Sequence, residues 1–139
     1  MPKLSRWMIR TALGYLAAGF FLGALLLAKK AYPELPVSYK LLPVHTELLI
    51  FGWTLQLVMG VAYWILPRFS SARPRGPEWP VLLAIFLLNG GVLLVLLAEL
   101  SPASPGLLIF GRIMEAGSAI AFALHAWPRV KAFSGSNSG

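Results

Sequence analysis

The sequence predicts an all-α integral membrane protein, built as a bundle of four transmembrane helices. Hydrophobic residues make up 58% of the 139 residues and charged residues only 12%, too few to cover a water-soluble surface. Four apolar segments each approach the ~20 residues with which an α-helix crosses the hydrocarbon core of a bilayer. Helices are required there because unpaired backbone groups are too costly in lipid.

The predicted helices cover residues of about 8–29, 44–66, 80–100 and 105–127. Prolines mark their limits: Pro43, Pro80 and Pro105 stand at helix starts, where a missing N–H is harmless, and Pro67 and Pro128 follow helix ends.

We expect one domain over residues 1–133 and a flexible polar tail, SGSNSG, over residues 134–139. The short "SPASP" turn predicts that the third and fourth helices form an antiparallel pair in contact. The first helix is expected to be a retained anchor, because its apolar run exceeds that of a signal peptide and no small-x-small cleavage site follows it.

The distribution of Lys and Arg predicts that both termini are cytoplasmic. Eight basic residues flank the helices on the side of the termini and the second loop: Lys3, Arg6, Arg10, Arg68, Arg73, Arg75, Arg129 and Lys131. Three lie on the other side: Lys29, Lys30 and Lys40. A bacterial or archaeal cytoplasmic membrane is the expected location.

Composition also excludes several kinds of site. The chain has no cysteine, so disulfides, thiolate–metal sites and iron–sulfur clusters are excluded, and its five acidic residues are all glutamates. The net charge of +7 comes mostly from residues that flank apolar segments, and nothing resembles a nucleic-acid-binding face.

The stretch "PVHTELLIFGW" places His45 in the first turn of the second helix. A face of small and polar residues continues along that helix: Gly52, Gln56, Met59, Gly60 and Tyr63. Such a face is expected to meet protein or a cavity, because polar groups in a membrane need partners. His45 is either a metal ligand, with Gly52 making room for a flat cofactor, or an interfacial histidine bonded to a loop carbonyl.

The second histidine, His125, lies near the end of the fourth helix and therefore at the opposite side of the membrane. The two histidines are not expected to share one iron within a protomer. Because Trp127 and Arg129 follow it, His125 is interpreted as an interfacial anchor.

Two charged residues fall inside the fourth helix. Arg112 and Glu115 are three positions apart and share a helix face, so they can pair. Arg112 either holds an anionic group, such as a heme propionate, or forms a structural ion pair between helices.

Glycines suggest close helix contacts at two places. On the first helix, Gly19 and Gly23 form a small-xxx-small pattern, which favours plain helix packing over a shelf for a porphyrin. On the third helix, Asn89, Gly90 and Gly91 indicate a tight crossing or a kink.

The segment HTELLIFGWTLQLVMGVAYWILPR, residues 45–68, resembles the second transmembrane helix of subunit I of heme-copper oxidases and their nitric oxide reductase relatives. The shared pattern is His-Thr near the outer end, an apolar run with glycine, an inner aromatic residue, and then Pro with a basic or polar loop. The resemblance implies that His45 is an axial ligand of a heme b.

The chain departs from that family in having four helices and lacking the family's further histidines. A three-histidine metal centre cannot form in one protomer, so we expect no enzyme activity. The expected role is electron transfer, or heme and gas (NO, O2) binding.

The expected heme surroundings comprise Gly19, Gly23 and Gly52 beside the ring, Tyr39, Lys40 and Arg112 near the propionates, and Met114 or a second protomer at the sixth position. One imidazole nitrogen would bind iron while the other is oriented by the Leu41 carbonyl or by the Thr46 or Glu47 side chain.

Small-residue faces favour a homo-oligomer, a dimer or a trimer, and a respiratory-chain partner is possible. The alternative function is a heme-free small subunit that scaffolds or assembles a respiratory complex. A proton-handling transporter based on Glu47, Gln56, Glu99 and Glu115 is a third hypothesis.

Overall fold

The computed structural model describes residues 1–69, 75–101 and 104–134, and the described residues contain helices and no strand. Four helices follow one another: α1 (Lys3–Ala31), α2 (Leu41–Ile65), α3 (Trp79–Leu100) and α4 (Pro105–Ser134). Each is long and apolar enough to cross a membrane. The predicted all-α, four-helix membrane fold is therefore confirmed, while the cytoplasmic placement of the termini stays a prediction.

α1 begins at Lys3, directly after Pro2, and so starts earlier than the apolar pattern indicated. The basic residues of the N-terminus belong to the helix because helical backbone bonds continue into the interface once a helix has been nucleated. At the other end, the Lys29 ammonium donates to the carbonyls of Pro33 and Leu35. This lysine folds the connecting chain back over the end of α1.

α2 is not a uniform α-helix. Its middle, Leu48–Leu55, is π-helical, between α-helical turns at Leu41–Glu47 and Gln56–Ile65. The Thr54 hydroxyl donates to the carbonyl of Leu49, five residues earlier, at 2.8 Å. The wider turn changes which side chains share a face, and π-segments of this kind are frequent at functional sites. Nothing in the apolar pattern of the sequence predicted this segment.

α3 and α4 form the expected antiparallel pair, and they cross tightly at glycines. A Cβ added at Gly91 would lie 2.8 Å from the carbonyl oxygen of Gly111, and one added at Gly111 would lie 3.1 Å from the Gly91 carbonyl oxygen. The Asn89–Gly91 stretch therefore includes the close crossing that the sequence indicated as one of two alternatives. In the intervening "SPASP" turn, residues 102 and 103 lie outside the described part of the chain.

α4 continues through Pro128 to Ser134, so the prediction that Pro128 follows the helix end is wrong. One proline deletes one backbone donor. The next residue, Arg129, is fully buried and anchored to the end of α2, which keeps this stretch packed in helical form. Of the predicted tail, Ser134 closes the helix and residues 135–139 lie outside the described residues.

The core lies where α2 meets the other three helices. It is made of Met8, Met59, Tyr63, Val81, Ala84, Leu88, Val92 and Ala121. Polar bonds tie the helices together around it. The Tyr15 hydroxyl donates to Asn89 Oδ1 at 2.9 Å, and the Ser5 hydroxyl donates to the Gly60 carbonyl at 2.7 Å. Large apolar side chains such as Phe20, Phe86 and Ile113 remain on the outside, as lipid-facing residues do.

Candidate functional site

His45 packs against α1 at the two glycines singled out in the sequence. Its Nδ1 lies 2.7 Å from the carbonyl oxygen of Gly19. A Cβ added at Gly23 would lie 2.7 Å from the imidazole Cε1, closer than real side chains approach. Gly19 and Gly23 therefore act together, since one binds the imidazole and the other leaves space for it.

This contact fixes a hydrogen on Nδ1 of the ring. A backbone carbonyl only accepts hydrogen bonds, so Nδ1 carries the hydrogen and donates it. The other nitrogen, Nε2, has no hydrogen-bond partner among the described residues. An imidazole held through one nitrogen, with the other unpaired, is the usual arrangement of a metal-ligating histidine.

The group that orients His45 differs from the ones expected from the sequence. The Thr46 hydroxyl donates to the Leu42 carbonyl at 3.0 Å, and the Glu47 carboxylate faces Arg112. The carbonyl that binds His45 belongs to Gly19, on the neighbouring helix. Sequence-local candidates were wrong because the imidazole points across the α1–α2 contact and not along its own helix.

A groove of about 470 Å³ opens beside the imidazole, between α1 and α2. Its walls are apolar, and His45 is its one titratable lining residue: Phe20, Gly23, Ala24, Leu26, Leu27, Leu42, His45 and Leu49. Phe20, Leu27 and Leu42 are more than half exposed, so the groove is open on the outer side of the bundle. It does not enclose a bound group, because these exposed side chains form its outer edge.

Arg112 joins two glutamates from different helices. Its Nη1 lies 2.7 Å from Glu47 Oε2 and 2.8 Å from Glu115 Oε2. Both carboxylates are buried, at 3% and 2% exposure, and the guanidinium lies 5.1 Å from the centre of the Phe51 ring. The predicted Arg112–Glu115 pair is thus present, and Glu47 completes it. Glu47 was one of the side chains expected to orient His45, but it turns inward between α2 and α4 instead.

The remaining predicted cofactor residues lie apart from the His45 groove. Gly52 is covered by the ring of Tyr15, since a Cβ there would lie 2.7 Å from Tyr15 Cγ, so its space is filled by protein. Met114 packs on Gly90 and lines a different groove, between α3 and α4. Tyr39 and Lys40 are exposed in the turn that precedes α2.

His125 is buried rather than interfacial, with 6% of its surface exposed. Its ring lies 5.5 Å from the ring of Tyr63, and its Nε2 lies 3.5 Å from Arg129 Nη1. Tyr63 is about five turns along α2 from His45, which corresponds to roughly 25 Å. The two histidines are therefore too far apart to share one iron. Trp127, two residues on, is exposed and has Lys131 at 5.4 Å from its ring, so the anchor role belongs to the tryptophan.

Sequence reasoning missed Arg129, which it counted as a flanking charge. The side chain is fully buried and donates to the carbonyls of Tyr63, Leu66 and Pro67, at 3.3, 2.6 and 2.9 Å. The last carbonyls of a helix have no partners within that helix. Pro67 was the available clue in the sequence. It shows that α2 ends just before it, and the carbonyls at that helix end need a donor from elsewhere.

Among the described residues, no group of three or more His, Asp or Glu side chains is arranged to hold a metal ion. A metal held by a macrocycle needs only an axial ligand from the protein. Such a group would be bound on one side by the free Nε2 of His45. The adjacent glycines and the apolar groove leave space for it.

Comparison with known proteins identifies the family. No curated protein and no solved structure matches the chain. The model of one family, described as Cytochrome C and Quinol oxidase polypeptide I, matches residues 3–128, a range that runs from the start of α1 into the last turns of α4. The chain therefore belongs to the family of cytochrome c and quinol oxidase subunit I.

Proposed function

We propose that this chain is a membrane heme b-binding protein in which Nε2 of His45 is the axial iron ligand. The observation that carries the proposal is the 2.7 Å contact between His45 Nδ1 and the Gly19 carbonyl oxygen. That bond selects the tautomer that leaves Nε2 free, and it holds the ring at a groove. Membership of a family whose members bind heme adds support.

The chain's own residues would perform three tasks around the group. The Gly19 carbonyl orients the imidazole and raises its basicity as a ligand. The apolar walls exclude water, which favours the less charged iron state. Arg112 is held between Glu47 and Glu115, so the polar groups left for propionates are Tyr39 and Lys40, which are exposed in the turn before α2 but do not line the groove. When bound, the heme would supply one-electron transfer or the binding of a gas such as NO or O2.

The proposed role is non-catalytic, because each protomer contributes a single histidine with a free nitrogen. The groove is open on the side away from α1 and α2, so a flat group would keep one face uncovered. A second copy of the chain, in a dimer or trimer, or a respiratory-chain partner would cover that face.

A second candidate is a heme-free subunit that scaffolds a respiratory complex. The Glu47–Arg112–Glu115 network favours it, since Arg112 is paired with two carboxylates of the chain itself and needs no ligand for its charge. In that case His45 is a packing residue that joins α1 to α2.

The two candidates differ in the visible spectrum of the purified protein. We expect a Soret band in detergent, either as isolated or after hemin is added, and a pyridine hemochrome spectrum of heme b. His45→Ala should abolish the band and His125→Ala should keep it.

A wild-type preparation that stays colourless after hemin is added would exclude heme binding and leave the scaffold. A Soret band that survives in His45→Ala but not in His125→Ala would refute the ligand assignment.

A further inference from the structure

The opposite end of the bundle from His45 holds a second cavity, of about 370 Å³. It lies between the start of α3 and the last turns of α4. Its walls are almost entirely apolar and include Trp79, Leu83, Leu124 and Pro128. Trp79 is 65% exposed and Leu124 is 70% exposed, so the cavity opens to the outside of the bundle, where acyl chains lie.

One arginine lines this cavity and two more lie near it in the structure. Arg75 lines it directly, and Arg75 and Arg68 both lie close enough to the buried Arg129 for their charges to interact with its guanidinium. The nearby acid is Glu78, whose Oε1 accepts a hydrogen bond from the Tyr63 hydroxyl at 3.2 Å.

The ion pairs found in the described part of the chain all involve Arg112, at the other end of the bundle. Arg129 is held by backbone carbonyls, which satisfy its donors without neutralising its charge. The charges of Arg68 and Arg75 therefore repel that of Arg129, and the single carboxylate of Glu78 offsets this repulsion only in part. An anion at the rim would relieve it.

We propose that this cavity binds an anionic phospholipid, with the phosphate at Arg75 and an acyl chain in the apolar groove. Charge complementarity selects the phosphate, because arginine binds phosphate oxygens through parallel hydrogen bonds. The apolar walls and the opening toward lipid select a chain-bearing ligand over a free ion. Basic pockets between transmembrane helices bind lipid headgroups in this way. The site is independent of the heme proposal.

The test is lipid binding to the full chain in detergent. Short-chain phosphatidylglycerol should raise the thermal midpoint, while phosphatidylcholine of equal chain length should not. Arg75→Gln should weaken phosphatidylglycerol binding about fivefold, the loss expected for one basic residue near a lipid headgroup. Arg6→Gln is the matched control, because it removes an exposed arginine at the same end but away from the cavity.

Two further measurements distinguish recognition of the phosphate headgroup from binding of the acyl chain. Glycerol 3-phosphate at the same concentration should not stabilise the protein, and Leu83→Trp, which fills the groove, should reduce phosphatidylglycerol binding without removing an arginine. Equal stabilisation by both lipids would overturn the proposal, as would equal losses in Arg75→Gln and Arg6→Gln. Stabilisation by glycerol 3-phosphate alone would show a phosphate site without a lipid.

Discussion

The two histidines lie on α2 and α4 in environments that differ in one decisive respect. His45 donates from Nδ1 to a carbonyl, lines an open apolar groove, and has no hydrogen-bond partner for Nε2 among the described residues. His125 is buried, and its Nε2 faces the guanidinium of Arg129 at 3.5 Å. A fixed positive charge beside Nε2 repels a metal cation, whereas a free lone pair attracts one. The group beside Nε2 therefore distinguishes a candidate metal ligand from a packing residue, although both residues are histidines.

Arg129→Met should have the largest effect and should act at the His125 end. The carbonyls of Tyr63, Leu66 and Pro67 lose their donor. A buried carbonyl left unpaired costs about 1–3 kcal/mol, and the Leu66 and Pro67 carbonyls are only partly buried. We expect a total loss of about 3–5 kcal/mol in the free energy of unfolding, measured by thermal unfolding in detergent. Lys131→Met, which removes an exposed charge nearby, is the control. If both variants unfold at the same temperature, the carbonyl contacts do not stabilise the bundle.

Arg112→Met should produce the next largest loss, at the end that holds His45. The substitution leaves Glu47 and Glu115 buried without a cation, which destabilises by about 2–4 kcal/mol after allowance for the half-exposed guanidinium. Adding Glu47→Gln and Glu115→Gln to this variant should recover more than half of the lost stability. A triple variant no more stable than the single one would show that charge balance is not what the network provides.

Gly23→Ala should weaken heme binding while leaving the bundle folded. The added methyl would lie 2.7 Å from His45 Cε1 and would push the imidazole away from the Gly19 carbonyl. We expect hemin affinity to fall at least about tenfold, equivalent to ~1.4 kcal/mol. Gly14→Ala is the control on the same helix, because nothing lies within 4 Å of its added Cβ. Equal hemin affinities in the two variants would mean that the contact between His45 and α1 is not required for hemin binding.

His125→Phe should have the smallest effect. It removes the polar contact with Arg129 but keeps an aromatic ring against Tyr63. We expect a loss of about 0.5–1.5 kcal/mol in stability and an unchanged hemin titration. A clear loss of hemin binding in this variant alone would reverse the comparison between the two histidines.

Several site features followed from the sequence because they depend on neighbours within one helix. Arg112 and Glu115 pair because three positions place them on one helix face. The face from Gly52 to Tyr63 is buried because its small and polar side chains would be poorly placed against lipid. Gly19 and Gly23 indicated a close helix contact, and the structure shows that this contact is with α2 and includes the imidazole of His45.

Other features depended on pairings across the bundle. Glu47 was a candidate to orient His45 because the two are close in sequence, yet its partner is Arg112, 65 positions away on α4. Gly52 looked like space for a cofactor, but Tyr15 of α1 occupies that space. The group that orients His45 could not be found among adjacent residues, since it is a carbonyl of another helix.

The membrane class, the number of helices and the separation of the two histidines could be predicted from the sequence alone. Those properties follow from average hydropathy and from the fixed rise of a helix against the thickness of a bilayer. Four features became visible only in the tertiary structure: the π-helical middle of α2, the His45–Gly19 bond, the pairing of Glu47 with Arg112, and the burial of Arg129. Each of these depends on which faces of different helices meet, and that is set by packing over the whole bundle and not by local pattern.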